Sequence, residues 1–152
     1  MTAPFRYFVR VRFQDCDAQH VVFNARYGDY VDLAVTEYLK ASLPDRNVFD
    51  GSFEIQVVRQ LIEWKGSARF DDVLEIEVAP TRFGTTSFTV GFVLHRPGEP
   101  TIVTAECTYV AIHKPTWTKR PLVAEERELL ATRARGLIVD HAGHFPIIRP
   151  EA

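Results

Sequence analysis

The stretch that decides the fold covers residues 15–27 and reads Asp15-Cys16-Asp17-Ala18-Gln19-His20-Val21-Val22-Phe23-Asn24-Ala25-Arg26-Tyr27. It follows an alternating apolar segment and precedes the strongest helical pattern in the sequence. Two carboxylates therefore lie between a predicted strand and the N-terminus of a predicted helix. An ionised carboxylate beside free backbone N–H donors is a useful arrangement for chemistry.

The segments on either side of this stretch differ in periodicity. Over residues 5–13, apolar side chains alternate with arginines, which predicts a strand with one buried and one polar face. After Asn24, the apolar spacing predicts an α-helix over residues 24–41. Its buried stripe consists of Tyr27, Tyr30, Val31, Ala34, Val35 and Tyr38. Asn24 is the expected N-cap, because its side chain can accept a hydrogen bond from the first free N–H groups of the helix.

The following part of the chain alternates with a period of two almost to residue 113. It predicts four strands joined by short turns, over residues 53–65, 73–81, 86–96 and 102–113. Short turns between consecutive strands indicate an antiparallel meander of these four strands. A loop over residues 114–121 and a closing helix over residues 123–135 come next. The predicted fold class is α+β, with an antiparallel sheet wrapped around one long central helix.

Length and composition indicate one soluble domain. The 152 residues can build one core but not two ordinary ones, and 46% of them are hydrophobic and 25% charged. We expect residues 1–136 to form this domain and residues 137–152 to pack on it as an irregular tail.

Charge and cysteine content exclude several classes of partner. The net charge of −2 creates no field that attracts nucleic acid or anionic membranes, and no stretch approaches the ~18 apolar residues of a membrane span. The N-terminus lacks the pattern of a signal peptide, so we expect a cytoplasmic protein with reduced cysteines. Cys16 and Cys107 have no metal-type spacing, and His141-x-x-His144 lacks a third ligand, so no metal site is predicted.

The motif of residues 15–27 also resembles that of a known family. Asp15-Cys16-Asp17, followed by Val22-Phe23-Asn24 and Tyr27, resembles the hotdog-fold acyl-CoA thioesterases of the 4-hydroxybenzoyl-CoA thioesterase-like family. The segments Ala68-Arg69-Phe70-Asp71-Asp72 and Arg82-Phe83-Gly84-Thr85-Thr86-Ser87 strengthen the resemblance, and the order of elements matches over residues 5–135. It implies hydrolysis of an acyl- or aroyl-CoA without a cofactor. It also implies a homodimer or homotetramer with active sites at the subunit interface.

The resemblance assigns roles to individual residues. The catalytic carboxylate falls on Asp17, acting as nucleophile or as general base for water. The thioester oxygen would be polarised by a backbone N–H at the start of the helix, from Asn24 or Phe23. The expected substrate-binding residues are His20, Val22, Phe23, Asn24 and Tyr27. His20 departs from the family, which usually has Gly at this position because Gly permits a positive φ.

Several alternatives stay open at this point. Asp15 is expected to be structural, and Cys16 a filler whose thiol pKa is raised by its two acidic neighbours. His20 is either a loop residue or a catalytic partner. The basic candidates for holding the CoA phosphates are Arg82, Arg96, Lys114, Lys119 and Arg120. The competing functions are a non-catalytic acyl-CoA-binding protein and a hydratase or dehydratase of the same fold, for which His20 would be essential.

Overall fold

The computed structural model describes residues 3–47 and 50–147, and over these residues it contains seven strands and two α-helices. The strands are β1 (Phe5–Arg10), β2 (Glu54–Trp64), β3 (Val73–Phe83), β4 (Ser87–His95), β5 (Thr101–His113), β6 (Thr118–Lys119) and β7 (Ile138–Asp140). The helices are α1 (Arg26–Ser42) and α2 (Ala124–Thr132), and a 3-10 helix spans Phe13–Asp15. The predicted α+β class is therefore confirmed.

The strands form one sheet in the order β2-β5-β4-β3-β1-β7, with β6 added beside β5. Of the four strands that the sequence predicts for the meander, β3, β4 and β5 are consecutive antiparallel neighbours, with Val78 opposite Phe92 and Val90 opposite Cys107. The predicted four-strand meander is wrong for β2, which pairs with β5 instead of β3. The reason is that β1 pairs with β3 along its other edge, so this edge is not available to β2.

One face of the sheet shares an apolar core with α1. The predicted stripe of α1 is buried, and Leu39 and Ser42 extend it by one turn. The helix packs against β1, β3 and α2, and the apolar side chains of β3 and β4 belong to the same core. Burial of each large apolar side chain contributes roughly 1.5–3 kcal/mol, so this face holds the helix and its N-terminus in place.

The helix does not begin as the sequence analysis expected. It starts at Arg26, its N-cap is Ala25, and no side chain caps it, so the prediction of Asn24 as N-cap is wrong. Residues 23–25 form a turn instead, in which the Arg26 N–H donates to the Phe23 carbonyl at 2.8 Å. The Phe23 N–H is in turn bound by the Asp15 carbonyl at 2.9 Å, which keeps this turn outside the helix.

The predicted strand over residues 5–13 ends early, because a hydrogen bond to a side chain draws the backbone into a turn. The strand stops at Arg10, and residues 13–15 turn into the 3-10 helix. The Arg12 N–H donates to the Asp15 carboxylate at 3.0 Å, which draws the chain into a turn. Two smaller corrections apply near the C-terminus: α2 is shorter than residues 123–135, and β6 lies within the predicted loop of residues 114–121.

The C-terminal tail packs on the body, but it is not irregular throughout. Residues Ile138–Asp140 form β7, which pairs in parallel with β1. Beyond it, the His141 ring is hydrogen-bonded to the Tyr7 hydroxyl at 3.1 Å, and the His144 ring stacks on Phe8. Residues 1–2 of the predicted domain and 148–152 of the predicted tail lie outside the described residues. No helix in the described ranges is long and apolar enough to cross a membrane.

Candidate active site

The two carboxylates of the motif lie on a loop that closes on itself between β1 and α1. Cys16 and Val22 form an isolated antiparallel bridge, and the Asp17 N–H donates to the Val21 carbonyl at 2.9 Å. The Asp17 carbonyl accepts from the His20 N–H at 3.0 Å, which makes a tight turn. The loop therefore presents Asp17 and His20 at its tip, and it returns the chain to the start of α1.

His20 adopts a left-handed backbone conformation that favours glycine. Its φ is 62°, so the backbone has kept the left-handed turn although the residue has a side chain. A non-glycine residue in this region is uncommon and costs about 1–2 kcal/mol. The side chain of His20 is exposed, beside Asp17 in sequence. The positive φ of His20 is therefore a source of local backbone strain in this loop.

Asp17 is half-buried and only partly satisfied by the protein. Its Oδ1 accepts a hydrogen bond from the Gln19 N–H at 2.8 Å, which fixes the carboxylate against its own turn. Over residues 3–47 and 50–147, no donor contacts Oδ2. One oxygen is therefore anchored while the other is available to a substrate or to water.

Asp15 has a different environment. It is 1% exposed, and its carboxylate accepts from the Tyr30 hydroxyl at 2.8 Å and from Nη2 of Arg12 at 2.9 Å. Burial alone would raise the pKa of Asp15, but the bonds from Arg12 and Tyr30 outweigh it and hold the pKa below its usual value. Asp15 is thus ionised and enclosed, in keeping with the expectation of a structural role.

The two candidate N–H donors at the start of α1 are not equivalent. The Phe23 N–H is occupied by the Asp15 carbonyl. The Asn24 N–H has no acceptor among the described residues, and it lies two residues before the first residue of α1. The positive end of the helix dipole favours negative charge at this position. Of the two groups that the sequence left open, only the Asn24 N–H is available to a thioester oxygen.

The remaining predicted binding residues fall into two groups. Phe23 and Asn24 are exposed, as is His20, so all three can meet a ligand directly. Val22 and Tyr27 are buried and are joined through Ala68, which sequence reasoning missed. The Ala68 carbonyl accepts a hydrogen bond from the Val22 N–H at 2.8 Å. The Ala68 N–H donates to the Tyr27 hydroxyl at 3.1 Å. In this chain Val22 and Tyr27 therefore support the loop from beneath.

Cys16 is not a competing nucleophile. Burial raises the pKa of its thiol, and the negative charges of Asp15 and Asp17 raise it further. The thiol thus stays protonated near neutral pH, as the sequence analysis expected. Its Sγ lies 3.8 Å from the Arg12 carbonyl, to which it can donate weakly.

Three of the five basic candidates for phosphate binding are engaged with acidic side chains. Arg96 pairs with Asp72 and Glu99, Lys114 with Glu54, and Arg120 with the buried Glu126. In the described ranges, Arg82 and Lys119 are exposed and form no ion pair. These two side chains can bind an anion without first breaking an internal salt bridge.

The chain is similar to known proteins in both sequence and structure. The family model described as the Thioesterase-like superfamily matches residues 11–127, which include the loop and α1. The acyl-CoA thioester hydrolase YbgC of Escherichia coli O6:H1 is 36% identical over 87 residues, which cover 57% of this chain and 65% of that relative. The matched stretch thus spans slightly less than two thirds of the relative's length.

Solved structures show the same fold at lower identity. The PA5185 protein from Pseudomonas aeruginosa has a TM-score of 0.78 at 19% identity, covering 90% of this chain and 95% of that chain. Slr0204 from Synechocystis, a 1,4-dihydroxy-2-naphthoyl-CoA thioesterase, has a TM-score of 0.73 at 20% identity, covering 84% and 96%. At these identities the likeness concerns the fold alone.

Proposed function

The chain belongs to the thioesterase-like superfamily, and we propose that it hydrolyses an acyl-CoA thioester to the free acid and CoA. Membership of this family agrees with the sequence analysis, which expected a thioester-hydrolysing enzyme. One structural observation carries the assignment of the site. A carboxylate oxygen of Asp17 and the N–H of Asn24 lie on the same loop, and neither has a partner in the described part of the chain.

In the proposed mechanism, Asp17 acts on the thioester carbonyl in one of two ways. As a nucleophile, its Oδ2 attacks the carbonyl carbon and CoA thiolate leaves, and water then hydrolyses the resulting anhydride. As a general base, it removes a proton from water, which attacks directly. In both routes negative charge develops on the thioester oxygen. The Asn24 N–H and the positive end of α1 stabilise that charge, which lowers the barrier.

The remaining site residues have supporting parts in this proposal. His20, Phe23 and Asn24 contact the substrate directly, and Val22 and Tyr27 form the buried floor of the site.

Arg82 and Lys119 are our candidates for contacting the CoA phosphates, because they form no ion pair over residues 3–47 and 50–147. An Arg82→Ala variant should raise KM for CoA esters. It should leave KM unchanged for a short thioester that lacks the nucleotide.

We further propose a hotdog arrangement in which residues 1–136 form one domain, the sheet curves around α1, and a second copy adds to the free edge of β2. β2 is a terminal strand, and its Val57, Val58, Leu61 and Trp64 are 44–59% exposed. An exposed apolar edge strand readily pairs with another chain. The two free cysteines agree with a cytoplasmic location.

Substitution at the β2 edge tests the assembly. Val58→Lys should convert a dimer or tetramer into smaller species in light scattering after size exclusion, because an unpaired charge would be buried at the interface. Turnover should fall with the oligomer if the active sites lie between subunits. Ile147→Lys is the control, since Ile147 is an exposed apolar residue in the tail that packs at the opposite edge of the sheet. A Val58→Lys protein of unchanged size would contradict this interface.

A thiol-release assay on acetyl-, hexanoyl-, palmitoyl- and benzoyl-CoA tests the activity and identifies the acyl group. We expect turnover of at least one ester and its loss in Asp17→Asn. Tight binding of the esters without thiol release would indicate a non-catalytic binding protein instead. If His20→Ala retains full thioesterase activity, a hydratase mechanism that depends on His20 is excluded.

Single turnover in ¹⁸O-labelled water tests for a nucleophilic Asp17. The label enters the Asp17 carboxylate only if an anhydride forms and water attacks it at the Asp17 carbonyl carbon. Attack at the acyl carbonyl carbon, or by water that a general base has activated, places the label in the released acid. Label in the peptide that contains Asp17, detected by mass spectrometry, therefore identifies the nucleophilic route.

A further inference from the structure

Asp15 is linked to both parts of the proposed catalytic machinery. On its C-terminal side, Asp17 is two residues away in the same loop. Its carbonyl accepts from the Phe23 N–H at 2.9 Å, which places it next to Asn24 as well. The backbone of Asp15 therefore lies where the loop leaves the 3-10 helix and contacts the turn through which the loop returns to α1. Any movement of Asp15 would change the position of the Asp17 carboxylate relative to the Asn24 N–H.

The Asp15 side chain is fixed to α1 by Tyr30. The Tyr30 hydroxyl is buried and donates to Oδ2 of Asp15 at 2.8 Å. A hydrogen bond to an ionised acceptor is roughly twice as strong as a neutral one. The other partner of Asp15 is Arg12, three residues earlier in the chain, whose side chain is 58% exposed. Among its partners in the described part of the chain, only Tyr30 connects this carboxylate to the helix.

From these contacts we infer that Asp15 and Tyr30 are positioning residues, whose hydrogen bond sets the Asp17 carboxylate against the Asn24 N–H. The inference rests on the proposed function, because it assigns a catalytic consequence to a contact outside the reacting groups. A displacement of about 1 Å in a catalytic group can cost on the order of 100-fold in rate. A site must also be held within roughly 0.5 Å of its productive geometry.

A purely structural role makes a different prediction from a positioning role. If the bond only stabilised the fold, its removal would lower the melting temperature and leave the kcat of the folded protein unchanged. If it positions the loop, its removal lowers kcat more than it raises KM, because a small misplacement of Asp17 relative to the Asn24 N–H weakens transition-state binding more than ground-state binding. Tyr30→Phe separates the two cases, since it removes the hydroxyl and keeps the buried ring.

Tyr38→Phe is the matched control. Tyr38 lies on the same face of α1, is as deeply buried as Tyr30, and donates its hydroxyl to the Leu130 carbonyl. It is eight residues further along the helix and belongs to no part of the proposed site. Both variants delete one hydroxyl from a buried tyrosine of α1 and keep the ring, and both should lower the melting temperature, Tyr30→Phe by more because its hydroxyl binds an ionised acceptor. Only Tyr30→Phe is expected to change the position of the loop.

The experiment measures kcat and KM of the full chain and both variants with the CoA ester that wild type hydrolyses fastest, together with amide hydrogen exchange. We expect kcat of Tyr30→Phe to fall about 10- to 100-fold with KM within threefold, and Tyr38→Phe to match wild type. Exchange over residues 16–24 should accelerate only in Tyr30→Phe.

Three results would overturn the inference: kcat of Tyr30→Phe within twofold of wild type, an equal loss in Tyr38→Phe, or unchanged exchange over residues 16–24. Failure of the proposed function gives a different pattern, in which wild type releases no thiol from any ester. In that event the exchange measurement still decides whether Tyr30 holds the loop.

Discussion

Asp15 and Asp17 share one loop and one chemical group, but the structure treats them in opposite ways. Asp15 is enclosed at the base of the loop and accepts hydrogen bonds from Tyr30 and Arg12. Asp17 is half-buried at the tip and keeps one oxygen free of any donor in the described part of the chain. A carboxylate whose lone pairs are all engaged can stabilise a loop, whereas one with a free oxygen can still react. The comparison separates a carboxylate that is fully engaged within the loop from one that keeps an oxygen available for reaction.

The largest effect is expected at the tip. Asp17→Asn should reduce kcat by about 10²- to 10⁴-fold, because an amide is neither a base nor a nucleophile here. Its Oδ1 can still accept from the Gln19 N–H, so circular dichroism and oligomer size should stay as in wild type. Asp71→Asn is a control that alters another loop carboxylate and should retain activity. Retained turnover in Asp17→Asn would remove the distinction between the two acids.

At the base of the loop, the main effect is expected on stability. Asp15→Ala should lower the free energy of unfolding by about 2–3 kcal/mol, because the buried Tyr30 hydroxyl loses its acceptor. Asp17→Ala should cost less than about 1 kcal/mol, since only one bond within an exposed turn is lost. Urea denaturation of both variants measures the difference. Equal losses would show that the two carboxylates contribute alike to folding.

Low pH should reduce the contribution of Asp15 to the free energy of unfolding. The pKa of Asp15 in the folded chain is below its ordinary value of 3.8, so the folded state binds fewer protons than the unfolded state near this pH. Its stabilising contribution is complete above about pH 4 and is lost as the pH falls through the folded-state pKa. Asp15→Asn should therefore show a shallower decline of unfolding free energy with acid than wild type. If the free energy of unfolding fell equally with pH in wild type and Asp15→Asn, the lowered pKa of Asp15 would be contradicted.

The smallest effect is expected from the strained residue at the tip. His20→Gly should raise the free energy of unfolding by about 0.5–1 kcal/mol, because glycine adopts a φ of 62° without steric cost. His20→Asn is the control, since asparagine tolerates this conformation better than histidine. A rise in KM in both variants would show that the imidazole contacts the substrate. A His20→Gly protein with a lower free energy of unfolding than wild type would contradict the backbone strain inferred at His20.

Local sequence patterns predicted the elements well, because they depend on near neighbours in the chain. The stripe from Tyr27 to Tyr38 is buried as its spacing predicts, and the alternating segments after Ser52 are strands. The same reasoning failed for the partner of β2, since alternation indicates a strand but not its neighbour. It failed also for residues 138–140, where a strand of three residues is too short to show a period.

At the candidate site, sequence reasoning found the groups but not their connections. It distinguished Asp17 from Asp15 through the family resemblance, and it identified position 20 as one where the family's glycine permits a positive φ, without predicting the φ of His20. It left Phe23 and Asn24 equivalent, although the Asp15 carbonyl occupies one of the two N–H groups. It assigned Asn24 as the N-cap, because a suitable side chain at the right distance is a local signal that tertiary contacts can override.

The sequence alone determined the class of fold and the buried face of α1, because both depend on residue type at short spacing, and the family resemblance in it predicted the loop that carries the candidate acid. Only the tertiary structure decided that Tyr30 binds Asp15 and that Ala68 joins Val22 to Tyr27. The pairing of β1 with β7 also depended on it. These contacts join residues 15 to more than 130 positions apart, and nothing in the local pattern specifies them. The availability of the Asn24 N–H follows from such contacts, and so does the contrast between the two carboxylates.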